Sequence, residues 1–152
     1  MRVLVVIDMQ EKYLGHYDEE LICNINDKIK CAHEEEDESI VYVKNIGLTG
    51  DRAGYDFSDE LLLVSDLIFE KKSPSAFSSK DFTKKLEQLK ATELEIVGVD
   101  GSSCVAKTAI DAAKLGYKAE IVKSCVGVRN DRVYEKVLKK LEGAGVKIVG
   151  RV

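Results

Sequence analysis

The chain has no tryptophan, one proline, two histidines and two methionines in 152 residues. Two histidines, His16 and His33, far apart and without ligand partners at metal spacing, give no zinc-type donor set. The four cysteines include no Cys-x-x-Cys pair. Cys23 and Cys31 fall on one expected helix, with Cα atoms about 12 Å apart, too far for a disulfide. A reducing compartment follows, and the chain is expected to be cytoplasmic. No apolar run approaches the roughly 20 residues that span a bilayer, so no membrane partner is expected. No basic run interleaves with aromatics, and the formal net charge is −4, so nucleic acid is not an expected partner.

What remains is a globular composition, 45% apolar and 33% charged, of a length suited to one domain over residues 1–152. Short apolar runs alternate with segments of helical period. The runs are Val3–Ile7, Ser39–Val43, Asp66–Phe69, Leu94–Val99, Lys118–Val122 and Val146–Val149. Near-continuous Val/Ile/Leu runs mark strands buried on both faces. Helices are expected near Glu19–Glu36, Lys80–Leu89, Cys104–Leu115 and Asp131–Glu142. The last carries an apolar stripe at Val133, Val137, Leu138 and Leu141, with Asn130 or Asp131 to cap it. Asn45–Ser65 breaks the alternation and reads as a surface excursion with a short helix around Ser58–Leu63. The fold class is α/β: a three-layer α/β/α doubly wound sheet of six mainly parallel strands, order 3-2-1-4-5-6.

In open parallel sheets, ligands gather beyond the carboxyl ends of the strands. Asp8 follows the first run, Lys71 the third, and Asp100-Gly-Ser-Ser-Cys104 the fourth. An acid, a base and a thiol thus leave on one edge. Cys104 opens a helix, where free amides and the positive dipole end would favour a thiolate. A small buried packing residue is the competing reading for this cysteine. Asp8 could equally bind a metal, cap a helix or act as a base, and Lys71 could be solvated charge.

Taken together, three motifs resemble the isochorismatase-like cysteine hydrolase superfamily, which includes nicotinamidases, N-carbamoylsarcosine amidases and isochorismatases. Val3-Leu-Val-Val-Ile-Asp8-Met-Gln-Glu-Lys-Tyr13 is similar to the opening strand. Lys71, four residues before Ser75-Ala76-Phe77, resembles a Lys-x-x-x-Ser-Ala/Gly-Phe motif. Gly98-Val-Asp-Gly-Ser-Ser-Cys104-Val105, on through Gly116-Tyr117, resembles the nucleophile helix.

The resemblance implies a Cys104-Asp8-Lys71 triad acting on a small amide-type substrate through a thioester. It also implies a cis peptide at Val99–Asp100 and an oxyanion hole from the Asp100 and Cys104 N–H groups. Tyr13 and Phe77 become candidate pocket walls, and a homo-oligomer, dimer or tetramer, is implied. The departure is at the metal: nicotinamidases carry Asp-x-His-x-x-His after the second strand, and residues 45–54 hold no histidine. No metal and no cofactor are therefore expected. A metal-dependent nicotinamidase and a non-catalytic binding relative are the alternatives. A dinucleotide or nucleotide domain is excluded because no Gly-x-Gly-x-x-Gly follows strand one and no phosphate loop occurs.

Overall fold

The computed structural model describes residues 1–50 and 52–150. Six strands form one sheet: β1 (Arg2–Ile7), β2 (Glu38–Asn45), β3 (Ile68–Lys71), β4 (Glu93–Gly98), β5 (Lys118–Val126) and β6 (Lys147–Val149). Their spatial order is β3-β2-β1-β4-β5-β6 and every pairing is parallel. The helices are α1 (Glu11–Leu14), α2 (Glu20–Glu34), α3 (Lys80–Gln88), α4 (Cys104–Lys114) and α5 (Asp131–Gly143), with a 3₁₀ turn at Ala76–Ser78. The expected class, strand order and four long helices match, with ends shifted by one or two residues. None of the described helices is long and apolar enough to cross a membrane.

The two-residue period of a strand explains why the first run is apolar throughout. Val3, Val5 and Ile7 face one side, where Phe82 and Leu86 of α3, Val105 and Ala109 of α4, and Leu141 of α5 cover them. Leu4 and Val6 face the other, against Leu21, Ile25 and Ile29 of α2. Burial on both faces leaves no position along the strand for a polar residue.

One expectation fails: residues 58–63 are not helical. Other groups satisfy this stretch's backbone. Asn26 of α2 donates to the Glu60 carbonyl and accepts from the Leu62 N–H. The Tyr42 hydroxyl donates to the Leu62 carbonyl at 2.7 Å and accepts from the Val64 N–H. With its amides and carbonyls tied to α2 and β2, the segment lies as a strap, and a helix would forfeit those bonds.

The strand order reverses between β1 and β4, which both start their chain connections to the site. There Ile7 pairs with Gly98, whose φ is +121°. A Cβ at Gly98 would collide with the Ile7 carbonyl oxygen, a backbone atom that cannot move aside. Gly98→Ala is therefore expected to destabilise the fold by about 4 kcal/mol or prevent folding. Chemical denaturation monitored by circular dichroism measures it, and a loss below about 1 kcal/mol would contradict the close approach.

At the opposite edge lies a buried ionic group. Lys28 Nζ of α2 sits 2.6 Å from Glu95 Oε2, both side chains at most one-tenth exposed. Burial, then the neighbouring Glu95, pushes Glu38 from the ordinary 4.5 to about 8. Burial also pushes Glu95 up, but hydrogen bonds from Glu38 and Lys28 outweigh it and hold it low. One proton therefore stays on Glu38 at neutral pH. A carboxyl whose folded value exceeds its unfolded value stabilises below the unfolded value and loses that contribution as pH rises through the folded one. The contribution of Glu38 to folding stability should fall from pH 4.5 to about 8 and then level. Glu38→Gln should flatten that slope in denaturation curves taken across the same range; an unchanged slope would remove Glu38 as its source.

Candidate active site

Asp8 is where β1 ends. Its N–H still donates to the Val43 carbonyl at 2.9 Å, extending the ladder one residue. Its φ is then +55°, a left-handed conformation that Asp tolerates better than most side chains. The chain turns out of the sheet there, and the carboxylate stays 2% exposed. Lys71 closes β3, two strands away, and its long stem carries the ammonium to 3.1 Å from Asp8 Oδ2. The lysine side chain is fully buried. Asp8 Oδ1, also buried, has no hydrogen-bond partner among the described residues.

Cys104, the first residue of α4, is half-buried beside this pair. The loop before it has a cis peptide bond at Val99–Asp100. Its amides are accounted for one by one. Gly101 N–H donates to the Gly127 carbonyl and Ser102 N–H to Asp100 Oδ1, each at 2.8 Å. Ser103 and Val105 N–H groups both donate to the Asp100 carbonyl at 3.1 Å. The Asp100 and Cys104 N–H groups have no acceptor among the described residues. Those two are free to meet a ligand oxygen.

A cavity of about 370 Å³ opens over these groups, lined by Asp8, Tyr13, Tyr17, Asp100, Cys104 and Val133, with Asn45 and Arg129 at its walls. Wider hollows exist, one of about 600 Å³ at Met1, Lys28, Cys31 and Glu38, but it holds neither Cys104 nor the Asp8–Lys71 pair. Tyr13 thus lies where expected. Phe77 does not line the cavity: its ring packs edge-on against Phe82 at 5.2 Å and stacks on Tyr117 at 6.0 Å. It anchors the 3₁₀ turn to α3 in the core, which is why the motif needs an aromatic there. Tyr17 and Asn45 were not singled out as site residues, since neither has a motif of its own. Val133, read as part of the apolar stripe of α5, is instead half exposed and lines the cavity.

The electrostatics correct one further expectation. Burial, and then the Asp8 carboxylate, pushes the Cys104 thiol up to about 11, against the opposing pull of Lys71. Desolvation and the neighbouring Asp8 charge outweigh the pull of Lys71, so the resting group is a thiol. Burial also raises Asp8, with Lys71 and Cys104 opposing it, which makes the carboxylate a stronger base than in water. The pair is thus a proton donor facing a proton acceptor, with an ammonium beside both.

Among the described residues, no three His, Cys, Asp or Glu side chains gather as a metal ion would require. The wall after β2 is occupied by amides. Gln10, fully buried, donates to the Asn45 and Tyr55 carbonyls and accepts from the Asn45 N–H, while Asn45 Oδ1 accepts from Gly47 N–H. These residues do not fit a zinc site.

The protein is thus an α/β fold whose parallel sheet gathers a thiol, a carboxylate and an ammonium at its switch point. The chain belongs to the isochorismatase family: the family's isochorismatase-domain model matches residues 2–151. It is 35% identical to the nicotinamidase of Saccharomyces cerevisiae (strain ATCC 204508 / S288c) over 77 residues, 49% of this chain and 36% of that protein. The match thus spans about a third of that relative's length. Among solved structures, an isochorismatase-like hydrolase from Alkaliphilus metalliredigens superposes with a TM-score of 0.85 at 20% identity, over 97% of this chain and 94% of that one. The pyrazinamidase of Pyrococcus horikoshii, solved in complex with zinc, gives 0.85 at 23% identity, over 97% and 98%. At such identities these two structures establish the shared fold.

Proposed function

We propose that the chain is a cysteine hydrolase that cleaves the C–N bond of a small amide-type substrate without a metal. The observation that carries this reading is the buried Asp8–Lys71 pair beside Cys104, under a cavity with two unpartnered amides. Family membership and the nicotinamidase relative support the amide class.

The steps follow from the groups present. Asp8 Oδ1, lacking a partner, takes the Cys104 proton as the sulfur attacks the carbonyl carbon. The carbonyl π pair moves to oxygen, and the Asp100 and Cys104 N–H groups hold the oxyanion. The carbonyl re-forms, the C–N bond breaks, and the departing nitrogen takes the proton back from Asp8. Ammonia or an amine leaves a thioester on Cys104. Asp8 then removes a proton from water as its oxygen attacks the thioester carbon. The C–S bond breaks, the sulfur takes that proton back from Asp8, and the acid leaves. Lys71 favours the ionised carboxylate before each proton transfer and balances the negative charge as it passes from Asp8 toward sulfur and the oxyanion.

The test is a screen of small amides and carbamoyl compounds for ammonia or amine release, followed by rapid acid quench and peptide mass spectrometry. A substrate that turns over should leave its acyl mass on the peptide containing Cys104. Turnover with that peptide never acylated would remove the thioester.

A further inference from the structure

Asp100 presents a difficulty for the hydrolase reading: it places a carboxylate beside the amides that are to hold a negative oxygen. The structure shows how that charge is held. Asp100 Oδ1 accepts from Ser102 N–H at 2.8 Å, and Oδ2 accepts from the Tyr17 hydroxyl at 3.0 Å, across 83 residues of sequence. Both oxygens are engaged, and the residue's carbonyl takes the Ser103 and Val105 amides. Of the polar groups of Asp100, the N–H alone is left over.

The Tyr17 ring is itself fixed. A Cβ at Gly127 would lie 2.8 Å from Tyr17 Cδ1 and 2.6 Å from Val99 Cγ1, so ring, glycine and loop are in close contact. Gly127 in turn donates to the Gly98 carbonyl at 2.9 Å and accepts from Gly101 N–H at 2.8 Å, tying both ends of the nucleophile loop. Burial, then the Asp100 carboxylate, raises the Tyr17 hydroxyl above its ordinary value, which keeps it a donor.

We infer that Tyr17 and the Asp100 carboxylate form a brace that sets the oxyanion-binding amides, with Tyr17 a positioning residue. This rests on the cysteine-hydrolase reading. Without the hydroxyl, Asp100 Oδ2 loses its donor, the carboxylate can swing toward the cavity, and the Asp100 N–H loses its aim. Attack by sulfur is not altered; stabilisation of the oxyanion is.

Two reagents separate those effects without a known substrate. Iodoacetamide alkylates Cys104 by forming an S–C bond as the C–I bond breaks, with iodide leaving and the thiol proton passing to Asp8, and with no oxyanion. Propionaldehyde adds the thiol across its carbonyl: the S–C bond forms, the π pair goes to oxygen, and the thiol proton passes to Asp8. That adduct needs the hole and protects Cys104 from alkylation. In Tyr17→Phe, propionaldehyde protection should weaken about tenfold or more, with the alkylation rate in its absence within about twofold of wild type. Asp100→Asn, whose Oδ1 can accept from the Ser102 N–H while its Nδ2 donates to the Tyr17 oxygen, should retain protection within about threefold, whereas Asp100→Ala should lose it as Tyr17→Phe does.

Unchanged protection in Tyr17→Phe would overturn the brace. So would a parallel loss of alkylation and protection, which marks a merely structural role. A wild-type Cys104 that reacts with neither reagent would overturn the hydrolase reading along with it.

Discussion

Cys104→Ala is expected to lower amide turnover by at least about 10⁴-fold while the protein stays folded. The thiol is the sole atom lost, at a half-buried helix start where alanine is an acceptable residue. Its removal deletes the bond-forming atom, and Asp8 or Lys71 cannot substitute. Neither could reach the carbonyl held by the amides without leaving the other. The thermal midpoint should stay within a few degrees of wild type, which separates chemical loss from unfolding. Full turnover by this variant on any amide that the wild type cleaves would end the nucleophile assignment.

The second large effect is a split between two measurements. Asp8→Asn should reduce turnover by about 10³-fold, because no base remains to take and return the proton. Asparagine is the right replacement, since it too tolerates the left-handed backbone of residue 8. The same change should speed alkylation of Cys104 by iodoacetamide near neutral pH. In the wild type, Asp8 is second only to burial in raising the thiol to about 11, and Lys71 lowers it. Removing the carboxylate leaves the ammonium unopposed, and the thiol titrates at lower pH.

Wild-type alkylation should keep climbing toward pH 11, and the Asn variant should reach its plateau earlier. Cys23 and Cys31, both exposed, serve as internal standards in the same digest. A variant slower than wild type in both assays would contradict the coupling between the two groups.

Much of this arrangement was legible in the chain. The apolar run at Val3–Ile7, and the one at Leu94–Val99 interrupted by Glu95 and Gly98, read as strands covered on both faces, and Leu4 and Val5 do face opposite cores. Asp8 and Lys71 stand at strand ends and Cys104 at the helix start after β4, because each motif sits at a fixed offset from an apolar run. Phe77 was misplaced for the converse reason: its motif states that an aromatic is needed, and an aromatic serves a core as well as a pocket. The helix expected at Ser58–Leu63 failed because local pattern cannot see Asn26 and Tyr42, distant residues that satisfy the segment's backbone.

The sequence by itself determined the alternation of strands and helices, the burial of the strands on both faces, and the offsets that put Asp8, Lys71 and Cys104 beyond one edge of the sheet. These are properties of period and offset, carried by neighbours along the chain. Only the tertiary structure decided the charge state of the thiol, the two unpartnered amides and the bond from Tyr17 to Asp100. Each depends on burial or on groups far apart in sequence, and desolvation and through-space Coulomb forces have no periodicity to read.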